Sequence, residues 1–240
     1  MSFNKRLLQP QASGGVAFPS STEGNMLAHY KFDDSDVDET GNYNAESSDI
    51  TYSTGRFGKA GNFNGDKRVT LGGGSPFAFE NTIKAFSFWI KPDTTSSRIS
   101  AFTISRTTST SYYFNFTWNN SNSKFAIQCR DGSSSNQFTD EVTITPTTNW
   151  VHIIVQRDGT EREIWLNGSK KTTTQDNRGS SSSSSWISYP YSPSVEVKGA
   201  IGIHRFGSIN YSDGLIDQFR IYDRDLTSSE ISELYNESTY

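Results

Sequence analysis

From residue 26 onward the chain is a succession of short runs in which apolar and polar positions alternate. They are "LAHYKF" (27–32), "KAGNFNG" (59–65), "RVTL" (68–71), "AFSFWIKP" (85–92), "ISAFTISR" (99–106) and "SYYFNFTW" (111–118). "KFAIQC" (124–129), "WVHIIVQR" (150–157), "REIWLNG" (162–168) and "GAIGIHR" (199–205) follow. Period-two runs spaced by Gly, Asn, Asp and Ser predict the strands of a β-sandwich or barrel. Nowhere does a helical period run beyond about two turns.

Two hairpins are expected, one at Asp158-Gly159 and one at Asn167-Gly168, because Asx-Gly tolerates the positive φ of a tight turn. Between Trp150 and Val155 both faces are apolar, so that strand should be covered on both sides. The segment "DGLIDQFRIYDRDLTSSEISELY" (213–235) predicts a strand and then a short helix. Thr227 and Glu230 stand in capping-box relation, and Leu226 and Ile231 sit where a hydrophobic staple would be. Counting in twos places Leu215, Asp217, Phe219 and Ile221 on one strand face, so a carboxylate is expected among core residues.

Two stretches break the pattern. Residues 1–25 are rich in Gln, Ser, Gly and Pro and have no period. They form either a frayed terminus or an extended arm. Phe3, Leu7, Leu8, Val16 and Phe18 favour an arm that docks on a partner. Residues 175–194 hold six consecutive serines and then Trp186, Tyr189 and Tyr191 among prolines. A flexible loop with a semi-rigid aromatic tip is expected there.

Composition narrows the partners. Only 32% of the chain is apolar but 13% is aromatic, which suits a thin, ring-rich core. A net charge of −4 disfavours a broad phosphate-binding surface, and hence nucleic acid. One cysteine, Cys129, allows no internal disulfide. No run approaches the roughly 20 apolar residues of a membrane span. The start "MSFNKRLLQPQ" has no apolar stretch behind it, so no secretory signal is expected.

The stretches "LAHYKFDDSDVDETGNYNA", "GRFGKAGNFNGDKRVTL", "FSFWIKP", "WVHIIVQRDGTEREIWLNG" and "DGLIDQFRIYDRDLTSSEISELY" occur in this order over residues 26–236. Together they resemble the LamG-like jelly-roll domains of the concanavalin A-like lectin/glucanase superfamily. The resemblance implies an all-β, two-sheet antiparallel jelly-roll sandwich over residues 26–240, preceded by the arm and closed by one C-terminal helix. It also implies a structural Ca2+ site. The matching ligands would be Asp33, Asp34, Asp36 or Asp38, with Asp217 and with Asn42 and loop carbonyls completing the shell. A cation needing six to eight oxygens would explain an inward Asp217. The other explanation is that Asp217 accepts backbone N–H bonds from the first loop.

For function, the glucanase branch of the family would need facing carboxylates about 5–10 Å apart, carried on E-x-D-x-x-E. That motif is absent from the sequence. Glu161, Glu163, Arg162 and Trp165 are expected at the surface. His29, His152 and His204 lie singly on predicted strands, which suits packed residues better than metal ligands. Trp186, Tyr189, Tyr191 and Asn119 are the candidate glycan contacts, since sugars stack on aromatic rings and bond to amides. Trp118 is expected in the core. The expectation is therefore a non-catalytic binding or adhesion module, homo-oligomeric within a larger assembly. The resemblance extends to phage virion proteins and implies a virion surface setting, as capsid decoration or fibre. A stand-alone lectin is the alternative, and a glycoside hydrolase is the weakest reading.

Overall fold

The computed structural model describes residues 26–71, 82–132, 137–159, 161–178, 186–187, 196–207 and 212–237. The expected arm, with Phe3, Leu7, Leu8, Val16 and Phe18, lies outside them, as do Tyr189 and Tyr191. In chain order the described strands begin with β1 (Met26–Tyr30), β2 (Ala45–Ser48), β3 (Thr51–Thr54), β4 (Lys59–Asn62), β5 (Val69–Leu71) and β6 (Ala85–Pro92). Next come β7 (Arg98–Arg106), β8 (Tyr112–Asn119), β9 (Lys124–Asp131), β10 (Gln137–Thr143) and β11 (Val151–Asp158). β12 (Glu161–Leu166), β13 (Ser169–Lys170), β14 (Thr174–Arg178), β15 (Val197–Ile201), β16 (Gly214–Tyr222) and α1 (Ser228–Asn236) complete the fold.

These strands make two antiparallel sheets. The first runs β13-β12-β11-β6-β16-β4-β3, with β1 also paired to β16. The second runs β14-β10-β9-β8-β7-β15-β5-β2. Alternation decides what lies between them. Phe86, Phe88 and Ile90 of β6 meet Phe102 of β7, Phe114 and Phe116 of β8 and Phe219 of β16 in one buried cluster. The rings interlock at centroid distances of 4.8 Å for Phe86–Phe116 and 5.4 Å for Phe88–Phe219. A sandwich this thin needs wide, flat side chains, which explains an aromatic fraction that is high beside a low apolar one. Trp118 joins this core, with its indole N–H donated to Asn120 Oδ1 at 2.8 Å.

The other face of the first sheet is roofed by α1. Leu226, Ile231 and Leu234 pack on Ala85, Ile154 and Tyr222, so β11 is buried on both faces as its sequence demands. Thr227 caps the helix and Glu230 answers to complete the capping box. Both hairpin turns form, with Gly159, Asn167 and Gly168 at φ of 55°, 50° and 73°.

Three expectations fail here. Arg162 is not at the surface: it lies between the sheets, forking onto Asp140 of β10 at 2.6 and 2.8 Å and covering the Phe138 ring at 3.9 Å. It shares the inward side of β12 with Ile164 and Leu166, and at the sandwich's end only a paired charge is tolerated in such a place. Glu163 is buried too, held by Lys170, Gln156 and Trp165 beside the helix. Residues 174–178, expected in a loop, form the exposed edge strand β14 on β10. Among the described residues no helix is long and apolar enough to cross a membrane.

Candidate functional site

Asp217 is buried, yet it is not among the core residues that parity in twos assigns it to. Gln218 takes φ of 51°, and the register of β16 on β6 slips between Asp217 and Arg220. This bulge reverses the faces. Phe219 and Ile221 point into the sandwich, whereas Asp217 pairs with Trp89 on the opposite face. There its Oδ2 accepts the N–H groups of Arg56 and Phe57 at 2.8 and 3.1 Å. The loop it holds is the β3–β4 turn, not the first loop. Asp33 accepts the N–H of Lys59 at 2.7 Å from the same turn. A Cβ at Gly55 would stand 2.7 Å from Asp217 Oδ2, so the turn can come this close only with glycine.

Of the expected calcium ligands, Asp33 and Asp217 both reach the β3–β4 turn. Asp38 is spent on its own loop, accepting from the N–H groups of His29, Thr40 and Tyr43 and from the Thr40 hydroxyl. Asp34 is exposed, and Asn42 donates to the Leu27 carbonyl. Among the described residues no three carboxylate, histidine or cysteine side chains converge as a metal set. Asp217 Oδ1 is buried without a partner, and burial, with Asp33 nearby, pushes its carboxyl up to about 7.

Trp186, expected at an exposed tip, is instead 3% exposed. Its indole donates to the Ile83 carbonyl at 2.9 Å and its ring meets Phe114 edge-on at 5.2 Å. Residue composition of a loop does not say which of its side chains folds back, and an indole with a carbonyl in reach is buried at a gain. Asn119, by contrast, lies half-buried on the outward face of the second sheet.

That outward face is the most distinctive surface of the molecule. The registers of β7 on β8 and of β8 on β9 align its side chains in rows. Arg98, Asn119 and Lys124 form one row, and Ser100, Thr117 and Ala126 the next. Thr103, Asn115 and Gln128 then precede Ser105, Tyr113 and Arg130. A bulge at Ala101 keeps Ser100 and Thr103 on this one face. Residues 202–207 double back over β7 after β15 ends. Asn115 donates to the His204 carbonyl at 3.1 Å, and the N–H of Phe206 donates to Ser105 at 3.1 Å. His204 and Arg205 thereby come to lie against the Tyr113 ring, at 5.5 and 5.0 Å.

Polarity here is unusually unsatisfied. Nε of Arg98, Arg130 and Arg205, Oγ of Ser100, Oδ1 of Asn115, Oγ1 of Thr117 and Nδ1 of His204 are all buried without a partner. Native proteins leave few such groups, and each calls for an explanation such as strain, a water or an ion. Burial, with Arg205 beside it, holds the Arg98 guanidinium below its ordinary range. Burial, then Arg205 and Arg98, press His204 down to about 3, so its ring is neutral at neutral pH. A half-buried tyrosine ring with a guanidinium 5.0 Å away and amides and hydroxyls along the same strands can stack one face of a small polar ligand and bond to its edge.

A concavity of about 330 Å³ lies on the other side of the molecule, where Arg56, Trp89, Trp150, Asn167 and Tyr235 surround the end of α1. Its polar groups are largely committed. Asn167 accepts the N–H of His152 at 2.9 Å, and the Arg56 guanidinium lies 4.9 Å above both Phe57 and Trp89.

Arg98, Tyr113, Asn115, Arg130 and Arg205 were not singled out from the sequence, and His204 was expected only as a packed strand residue. The alternation of "ISAFTISR" and "SYYFNFTW" does mark Tyr113 and Asn115 as facing away from the core. Nothing local shows that 202–207 leaves the strand after Ile201 and folds back, which is what places His204 and Arg205.

Comparison with known proteins agrees with this architecture. Residues 63–232 match the laminin G type 3 family, described as Concanavalin A-like lectin/glucanases superfamily. No match is found among curated proteins. Domain 4 of AbnA, an extracellular arabinanase of family GH43 from Geobacillus stearothermophilus, solved with arabinotriose, superposes with a TM-score of 0.60 and 22% identity, over 88% of this chain and 98% of that one. The binding domain of botulinum neurotoxin serotype D gives 0.63 and 15%, over 90% of this chain and 52% of that one. This chain therefore spans about half the length of that neurotoxin domain. The CBM40 of the Ruminococcus gnavus IT-sialidase, bound to α2,3-sialyllactose, gives 0.52 and 14%, over 65% and 83%. With the matched segment covering most of the chain and ending inside α1, the protein belongs to the concanavalin A-like lectin/glucanase superfamily.

Proposed function

We propose that the protein is a non-catalytic binding module that takes a carbohydrate on the outward face of its second sheet. The observation that carries this reading is the set of seven buried, unpartnered polar atoms along this face, from Arg98 at one end to the half-buried Tyr113 ring and Arg130 at the other. Sugars offer an apolar C–H face for stacking and a rim of hydroxyls for hydrogen bonds, which is the complement of such a surface. The structural neighbours that bind arabinotriose or sialyllactose support it by analogy of fold. On this face β10 contributes Glu141, which pairs with Lys124 at 3.8 Å, and β14 contributes Asp176, which pairs with Arg178 at 2.7 Å. A glycosidase would need two carboxylates flanking the scissile bond.

A glycan array followed by calorimetry tests the reading on the full chain. Tyr113→Ala and Asn115→Ala should each weaken binding of the selected glycan at least tenfold, about 1.4 kcal/mol. Binding that survives both changes would move the site elsewhere, and release of reducing ends from the bound glycan would end the non-catalytic reading.

The setting is proposed as the surface of a virion, in a homo-oligomer anchored by the arm, on the strength of the family resemblance and the apolar residues of that arm. Light-scattering mass of the chain with and without residues 1–24 tests it. An oligomer that falls to monomer on truncation supports the assembly role, and a monomer in both removes it.

A further inference from the structure

Resting on the carbohydrate reading above, we infer that the site on the second sheet selects an anionic sugar, one carrying a carboxylate or a sulfate ester. The inference comes from charge placement. Arg98 stands at one end of the face, Arg130 beside Tyr113, and Arg205 over the Tyr113 ring at 5.0 Å. Among the described residues, none of the three makes an ion pair. Nε of each is buried and unpartnered.

This arrangement is unfavourable in the empty protein. Guanidiniums lose solvation when half-buried, and Arg98 and Arg205 are close enough to repel one another. Elsewhere the same chain pairs its buried arginines, Arg162 with Asp140 and Arg220 with Glu237. An anion placed beside the Tyr113 ring would meet Arg205 above it and Arg130 on the adjacent strand, relieve the repulsion between Arg205 and Arg98, and satisfy forked donors whose geometry suits carboxylate and sulfate. Neutral His204 leaves room for a hydroxyl beside the charge, and the floor of Ser100, Thr103, Asn115 and Thr117 is uncharged. One compact charge on a polar ring is therefore the best fit. A nucleic acid fits less well, because the chain as a whole carries −4.

The test uses the full chain against matched neutral, carboxylated and sulfated oligosaccharides, and against single-stranded DNA, at low and high salt. Binding should favour the acidic glycans at least tenfold and weaken as salt rises. The arms then tell carboxylate from sulfate. Arg205→Gln and Arg98→Gln should lose that preference tenfold or more while melting at the same or a higher temperature, since each removes a repulsion; Lys59→Gln, exposed on β4 of the other sheet, should change neither. Equal binding of neutral and acidic glycans would overturn this inference and leave the carbohydrate site standing. Preference for DNA would replace the ligand class. No binding to any glycan would overturn both readings.

Discussion

Asp217 holds a backbone turn with one oxygen and leaves the other buried and bare, a cost the fold carries for closing β3 and β4 onto β16. With its carboxyl pushed up to about 7, the folded protein keeps a proton that the unfolded chain releases near its ordinary value of 3.8. Folded and unfolded states thus differ in bound protons between about pH 4 and 7, and Asp217's contribution to stability falls as pH rises through that window. The three histidines act in the opposite sense. Burial lowers each of them, His152 and His204 to about 3, so their contribution is lost as pH falls below about 6.5. Comparing wild type with Asp217→Asn cancels the histidine part. The variant should gain stability relative to wild type between pH 5 and pH 8, by up to a few kcal/mol. Urea midpoints at the two pH values measure this, and an unchanged difference would contradict it.

At the scale of elements, the sheets are clamped at one end by the Arg162–Asp140 pair, which joins β12 to β10 with both side chains fully buried. Removing one member leaves an uncompensated charge, so Arg162→Ala should cost about 3–5 kcal/mol. The double change Arg162→Met with Asp140→Leu should recover most of that loss in a urea titration. If the double variant is no more stable than the single one, the clamp has another basis. Trp186 belongs at this scale as well, because it seals the core against Phe114 from a segment that the sequence marks as a loop. Trp186→Ala should cost about 3–5 kcal/mol and leave glycan affinity unchanged. A loss of affinity with no loss of stability would restore it as a ligand contact.

For the whole molecule, most strands, the hairpin turns and the capped helix were legible because each depends on neighbours within a few residues, whereas β2, β3, β10, β13 and β14 were not among the expected runs. The doubly buried β11 and the position of Trp118 followed from alternation alone. What escaped depends on contacts distant in sequence. The bulge at Gln218 reverses the face of Asp217, Arg162 finds Asp140 22 residues away, and Trp186 finds Ile83 across 103 residues. The candidate site is of this second kind. Its rows come from strand register, and one of its cations, Arg205, arrives with His204 on a segment that folds back over β7.

The central claim is that ligand sits on the outward face of the second sheet, and hydrogen exchange measured with and without the best array ligand tests it most directly. The account predicts slowed exchange confined to β7, β8, β9 and residues 202–207. Protection centred on α1 and the Trp150 cleft, with the second sheet unchanged, would contradict it.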